Sequence, residues 1–194
     1  MNTLLCSART PEIYVSYARG PGKKVVDDMC GVMQAEGYWV IRDRTAMKYD
    51  DRISDFMKCL SRGDLIVVVL NAKYLQSNYC MTELHGIFQR ASGDKGEFLD
   101  RIIPVSLIDA KFASWRDRTE IAKHWEEEFQ EMEKSLPHLG REDFGLYKSM
   151  QDWHNRVGDI LACVSDTLRP RGFEQIVQDD FAALRQVLQA KRAR

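Results

Sequence analysis

Apolar and polar positions alternate with a period of two near the start of the chain, and with a helical period soon afterwards. Residues 12–18 alternate in this way and predict a first β-strand. Residues 23–36 carry apolar side chains three and four positions apart and end at Gly37, which predicts a helix. Residues 38–41 predict a second, short strand. The chain therefore begins with a strand, a helix and a strand.

A continuous apolar run over residues 65–70 predicts a strand that is buried on both faces, as in a parallel sheet. A ligand site is then expected at its carboxyl end. Ser77 and Asn78 are good N-cap residues for the helix that follows, and this helix carries Glu83. Two interpretations of Glu83 are open at this point. It is either a favourable acid in the first turn of a helix or an active-site acid at the end of a strand.

The remaining part of the first hundred residues extends this alternation. A charged segment over residues 42–51 precedes a predicted helix with apolar residues between positions 53 and 60. Residues 92–100, SGDKGEFLD, predict a long flexible loop, and residues 101–107 predict a fourth strand. The order β-α-β-α-β-α-β indicates a parallel sheet with right-handed crossovers and helices on both faces. We predict an α/β fold with a flavodoxin-like doubly wound parallel sheet.

After residue 107 the pattern is helical. One apolar stripe covers residues 121–136, and a second keeps three-and-four spacing over residues 146–168, which is about six turns. A third stripe covers residues 173–188. We expect these helices to pack on the sheet or on each other. The last helix has an alternative role as the connection to a further domain or a partner helix.

Composition changes this picture mainly by exclusion. The 194 residues carry a formal net charge of -1 without a basic patch, so neither nucleic acid nor a membrane surface is an expected partner. Five cysteines without a CxxC pattern indicate reduced thiols, and four scattered histidines indicate no metal site. No apolar run reaches the roughly 18 residues of a membrane span. We expect a soluble, cytoplasmic protein.

Three segments taken together resemble a Toll/interleukin-1 receptor (TIR) domain. They are IYVSYA at residues 13–18, the stretch that runs from IRDR to MTEL over residues 41–84, and RIIPVSL at residues 101–107. The part of the second segment that begins at Asn71 is similar to the family pattern S-x-x-Y-x-x-S-x-W-C-x-x-E-L. Asn71 replaces the usual serine, and Tyr79 replaces a common tryptophan but keeps an aromatic side chain.

This resemblance covers about residues 11–110. It implies a TIR domain over residues 1–136 and a C-terminal helical extension over residues 137–194. The additional helices look more like the bacterial, NAD-cleaving members of the family than like animal receptor adaptors.

In NAD-cleaving members the glutamate of C-x-x-E-L is the catalytic residue, and the matching residue here is Glu83. The chemistry agrees with this assignment. Nicotinamide leaves as a neutral molecule and needs no acid, whereas a carboxylate stabilises the oxocarbenium-like ribosyl transition state. The resemblance implies an NAD glycohydrolase or cyclase that releases nicotinamide and yields ADP-ribose or a cyclic isomer. NAD is the substrate and no cofactor is implied, and the sequence has no G-x-G-x-x-G pattern of redox enzymes.

The resemblance also implies a set of substrate-binding residues around the acid. They are Ser16, Tyr17, Ala18, Arg42, Arg44, Tyr49 and Tyr79. Several have competing roles that stay open: the three tyrosines can be packing aromatics, and Arg44 can pair with a neighbouring aspartate. Cys80 lacks a nearby histidine on its side of the helix, and we interpret it as a packing residue.

The loop after the second strand commonly lies at the contact between TIR domains. The corresponding residues here are Asp43, Thr45, Ala46, Met47, Lys48 and Asp50. The resemblance implies homotypic TIR assembly that activates the enzyme, and a fused or separate sensor domain. A role in bacterial antiphage defence follows by family analogy alone. The alternative function is a non-catalytic scaffold that signals through TIR–TIR contacts.

Overall fold

The computed structural model describes residues 11–20, 22–42, 65–167 and 173–192. Within these residues the strands form one parallel sheet in the order β2-β1-β3-β4. The strands are β1 Glu12–Tyr17, β2 Trp39–Arg42, β3 Ile66–Leu70 and β4 Ile102–Ser106. The chain runs outward from β1 in one direction and then from β3 in the other, which is the doubly wound arrangement. The predicted fold class is confirmed.

Helices connect and follow the strands. The described α-helices are α1 Lys23–Ala35, α2 Ala72–Leu75, α3 Asn78–Arg90, α4 Lys95–Arg101, α5 Trp115–Lys134, α6 Arg141–Trp153, α7 Val157–Thr167, α8 Phe173–Gln178 and α9 Ala182–Arg192. Short 3₁₀ helices occupy Leu136–His138 and His154–Arg156. The helix that the sequence predicts between positions 53 and 60 lies outside the described residues.

The sheet is covered on both faces, as the continuous apolar run of β3 predicts. Val67 and Val69 face a cluster that contains apolar residues of α1 and α9. Ile66 and Val68 face the opposite cluster, which contains residues of α3, α5, α6 and α7. All five β3 side chains are buried. The helices after residue 107 therefore pack on the sheet and on each other, as expected.

Residues 92–100 are not the flexible loop that the sequence predicts. A turn at residues 91–93 leads into helix α4, and the Asp94 side chain caps this helix by accepting a hydrogen bond from the backbone N–H of Glu97 at 2.7 Å. Phe98 is fully buried, and its ring meets that of Phe88 edge to face at 5.2 Å. The polar composition of the segment suggests a loop, but one capping residue and one buried aromatic residue stabilise a short helix.

The long apolar stripe over residues 146–168 is also not one helix. Helices α6 and α7 are separated by the 3₁₀ turn at residues 154–156. His154 stacks on Phe129 of α5 with ring centroids 3.9 Å apart, and its Nδ1 lies 3.0 Å from the Met150 carbonyl oxygen. A tighter turn preserves the apolar spacing on both sides, so periodicity alone does not reveal the break. The third stripe is likewise divided, at a turn in which Asp180 and Phe181 have positive φ.

We expect a buried histidine to make the stability of this fold sensitive to acid. His85 on α3 is 4% exposed, and its Nε2 has no hydrogen-bond partner among the described residues. Burial and, to a smaller extent, the positive charge of Arg156 lower the pKa of His85 to about 4, against the opposing effect of Asp152. The unfolded chain therefore binds this proton first as the pH falls below about 6.5.

We expect the free energy of unfolding to fall by roughly 1 to 3 kcal/mol between pH 6.5 and 4 through this one group. Urea unfolding at several pH values measures the effect. In His85→Leu this part of the pH dependence should disappear, and the exposed His138 supplies the matched control variant His138→Gln. An equally steep loss of stability in His85→Leu would show that other groups cause it.

Candidate functional site

Local capping positions Glu83 close to the end of β3. The Asn71 side chain accepts a hydrogen bond from the Tyr74 backbone N–H at 2.7 Å and caps the short helix α2. Ser77 then caps α3 by accepting a hydrogen bond from the Cys80 backbone N–H. Glu83 lies in the second turn of α3, and the first turn of this helix contains no acidic residue. Since the helix dipole acts within the first turn, the interpretation of Glu83 as a first-turn acid is wrong.

The carboxylate of Glu83 is held by a residue from another strand. Ser16, near the end of β1, is 1% exposed, and its hydroxyl donates a hydrogen bond to Glu83 Oε2 at 2.6 Å. Tyr74, from the segment between β3 and α3, brings its hydroxyl within 2.9 Å of Ser16 Oγ. The strand order reverses between β1 and β3, and ligands of doubly wound sheets bind at the carboxyl ends on either side of such a point.

The predicted substrate-binding residues divide between the two faces of the sheet. Ala18 packs in the same cluster as α3 and so lies on the Glu83 side. Tyr17 packs against the opposite cluster. Arg42 pairs in register with Val15 on that second side, and its guanidinium binds Asp27 of α1 at 2.5 Å. Ser16 and Ala18 therefore share a face with Glu83, whereas Tyr17 and Arg42 do not.

Two neighbours of Glu83 on its own helix differ in exposure. Tyr79 precedes Glu83 by four residues, about one helical turn, and is 52% exposed. Cys80 is buried in the core, where we expected a packing residue. The other predicted residues lie outside the described part of the chain: Arg44 and Tyr49 for substrate, and Asp43, Thr45, Ala46, Met47, Lys48 and Asp50 for assembly.

The loop between β1 and α1 lies against the end of β3. Gly22 has a φ of 100°, and a Cβ at this position would lie 2.9 Å from Leu107 Cδ1 and 3.8 Å from Asn71 Nδ2. A Cβ on Gly20 would lie 3.3 Å from Lys73 Nζ. The positive φ favours glycine at position 22, whereas the close approach is to the end of the flexible Leu107 side chain, which can shift. The loop thus lies beside Lys73 of α2, the short helix that follows β3.

Sequence reasoning missed Tyr74 and Lys73. The signal for Tyr74 was present, because it is the tyrosine of the S-x-x-Y pattern, but a tyrosine beside a buried strand is ordinarily a packing residue. The signal for Lys73 was weak, because GPG at residues 20–22 predicts only the end of a strand. The contacts of both residues depend on how β1 and its loop lie against β3.

No group of three His, Cys, Asp or Glu side chains in the described ranges could hold a metal ion. None of the helices within those ranges is both long and apolar enough to cross a bilayer.

The sheet is doubly wound and parallel, and a carboxylate that accepts a hydrogen bond from Ser16 lies at the carboxyl ends of its central strands. α/β proteins of this class bind ligands at that edge of the sheet. The chain belongs to the TIR domain family, because the model of that family matches residues 13–135. It is also similar to the TIR domains in the structure of the activated Roq1 resistosome that directly recognises the pathogen effector XopQ.

The similarity to the Roq1 TIR domains concerns the fold. Sequence identity is 19%, the TM-score is 0.51, and the alignment covers 88% of this chain and 99% of the Roq1 chain. Among proteins with curated descriptions, none matches this chain in sequence.

Proposed function

We propose that this protein is an NAD glycohydrolase or ADP-ribosyl cyclase, with Glu83 as the catalytic residue. The observation that carries the proposal is the Glu83 carboxylate, held by the Ser16 hydroxyl at 2.6 Å where the carboxyl ends of β1 and β3 meet. Family membership supports it, because Glu83 occupies the glutamate position of the C-x-x-E-L pattern.

The proposed reaction breaks the bond between ribose C1′ and the nicotinamide nitrogen. The bonding electrons move to the pyridinium ring, so nicotinamide leaves neutral and the ribosyl group becomes oxocarbenium-like. A carboxylate close to the ribose hydroxyls stabilises this positive charge. Water then attacks C1′ and loses a proton to yield ADP-ribose, or a nitrogen of the adenine attacks to yield a cyclic isomer.

Side chains near Glu83 suit the substrate to different degrees. Tyr79 is exposed about one turn from the acid, so its ring is available to stack on nicotinamide or adenine. Ser16 and Ala18 lie on the side of the acid. To contact Tyr17 or Arg42, the nucleotide would have to cross the ends of β1 and β2. Arg42 would then bind the nucleotide in place of Asp27 or in addition to it.

We further propose that homotypic assembly activates the enzyme through the loop that contains Asp43 and Arg44. The proposal rests on the family and on similarity to TIR domains described in an activated resistosome. This proposal agrees with a role in bacterial antiphage defence. In that role the protein would be cytoplasmic and controlled by a sensor domain. Because the enzyme would be active only after assembly, a toxic activity would stay latent until it is needed.

Nicotinamide release from NAD, measured over a series of protein concentrations with a crowding agent present, tests both proposals. We expect the rate per molecule to rise with concentration. Arg44→Ala should lose more activity at low concentration than at high concentration if the loop mediates assembly. An equal loss at every concentration would point to substrate contact instead. Assembly without any nicotinamide release would contradict the enzyme and favour the scaffold.

A further inference from the structure

We propose that Ser16 and Tyr74 are positioning residues that orient the Glu83 carboxylate and keep it ionised through a continuous hydrogen-bonded chain. This inference rests on the proposed function, because it concerns the same acid. It changes the role of Ser16, from a residue that contacts substrate to one that acts through Glu83. It also adds Tyr74, which was not among the predicted site residues.

The direction of the chain follows from the number of protons available. The Ser16 hydroxyl has one proton, which it donates to Glu83 Oε2 at 2.6 Å. In the 2.9 Å contact between Ser16 Oγ and the Tyr74 hydroxyl, Tyr74 must then be the donor. Each hydrogen bond polarises the next, and the chain ends on an acceptor that is negatively charged. The arrangement therefore stabilises the anionic form of Glu83.

Both donors are built into rigid parts of the fold. Ser16 is 1% exposed and pairs in register with Val68 of the central strand. Tyr74 is fully buried in α2, whose start is capped by Asn71. Neither side chain can move far without disturbing the core. A donor that is fixed in this way holds one carboxylate oxygen at a defined place, which is what preorganised catalysis requires.

Tyr74 is suited to remain a donor over the whole working range of pH. Burial raises the pKa of its phenol well above the usual range, Cys80 and Glu83 add to this rise, and the hydrogen bond with Ser16 acts in the opposite direction. The phenol thus stays protonated at neutral pH and can donate there. A buried tyrosine that served only to fill space would do so equally well as phenylalanine, without a hydroxyl that has to be satisfied.

The test compares Tyr74→Phe and Ser16→Ala with the wild type in nicotinamide release, as a function of pH. We expect kcat to fall about tenfold to a hundredfold with KM changed less than about threefold, because orientation is lost while the binding surface is kept. The acidic limb of the pH profile should move up by about half to one pH unit, since the anion has lost donors. Ser16→Thr keeps a hydroxyl at this position, so its rate and its pH profile should lie between those of Ser16→Ala and the wild type.

The matched control is Tyr38→Phe. Tyr38 is also buried, and its hydroxyl donates to the Leu188 carbonyl oxygen at 3.2 Å on the other face of the sheet. This variant loses a buried hydrogen bond of similar kind, so it reports the effect of lost stability alone. Its pH profile should equal that of the wild type. An acidic limb that stays in place in Tyr74→Phe or in Ser16→Ala would overturn the proposal.

A second readout does not depend on turnover. NMR titration of protein with labelled glutamate carboxyl carbons measures the pH at which Glu83 takes up its proton. That pH should rise in Tyr74→Phe and remain unchanged in Tyr38→Phe. If the wild type releases no nicotinamide, the proposed function fails, and the titration still decides whether the chain controls the ionisation of Glu83. An unchanged titration in Tyr74→Phe would refute it whatever the activity.

Discussion

Glu83→Gln is expected to lower nicotinamide release by about a thousandfold or more while the protein stays folded. Loss of the carboxylate removes the negative charge that faces the developing ribosyl cation, which is an electrostatic contribution of several kcal/mol. The substitution keeps the shape of the side chain. Its amide oxygen can still accept the hydrogen bond that Ser16 donates to Oε2 in the wild type. We therefore expect the free energy of unfolding to change by less than about 1 kcal/mol.

The measurement is a time course of nicotinamide release at saturating NAD, paired with urea unfolding of the same preparations. Glu120→Gln is the matched control, because Glu120 is exposed on α5 and the substitution makes the same change of charge. This control should have the activity of the wild type. Turnover that persists in Glu83→Gln would remove Glu83 from its catalytic role. Loss of activity together with loss of folding would indicate that the carboxylate is structural.

Trp153→Ala is expected to cost about 3 to 5 kcal/mol of stability, the largest effect on folding that we predict. Trp153 is fully buried in the C-terminal helices, and its ring meets that of Trp125 edge to face at 4.9 Å. Its indole N–H donates to Thr82 Oγ1 at 3.1 Å, immediately beside Glu83. Trp125 in turn donates to the Leu75 carbonyl oxygen at 2.9 Å. The two tryptophans thus connect α5 and α6 to the segment that carries the acid.

Urea or thermal unfolding measures the loss, and Trp115→Ala is the control because Trp115 is 65% exposed. Trp153→Phe keeps an aromatic ring but removes the N–H, so its cost should lie between those of the other two variants. Activity should follow stability, since α3 loses its support. If Trp153→Ala unfolded at the same urea concentration as Trp115→Ala, the C-terminal helices would not be part of the core.

This packing bears on the predicted division of the chain at residue 136. Residues on both sides of that position share one apolar cluster with the sheet, among them Leu84 and Trp153. Residues 137–194 remain, in our interpretation, an extension beyond the minimal TIR domain. In this protein residues of α6 and α7 belong to the apolar cluster on one side of the sheet, and residues of α9 belong to the cluster on the other side.

The sequence by itself determined the features that depend on neighbouring residues. The apolar run of β3 and the cap at Ser77 act over a few positions, and together they predict that Glu83 lies on a helix just after a central strand. The order of strands and helices was readable for the same reason. The helix at residues 95–101 was missed even though its cap is local, because Phe98 is anchored by Phe88 from another element.

The tertiary structure decided which side chains meet at the acid. Ser16 and Glu83 are 67 positions apart, and their hydrogen bond exists because β1 and β3 are adjacent with Ser16 directed toward α3. Tyr17, the next residue, faces the other side, since side chains alternate along a strand. Arg42 meets Asp27 there. Local sequence patterns specify elements and their buried faces, but contacts between distant elements depend on strand order, register and packing, which are properties of the whole fold.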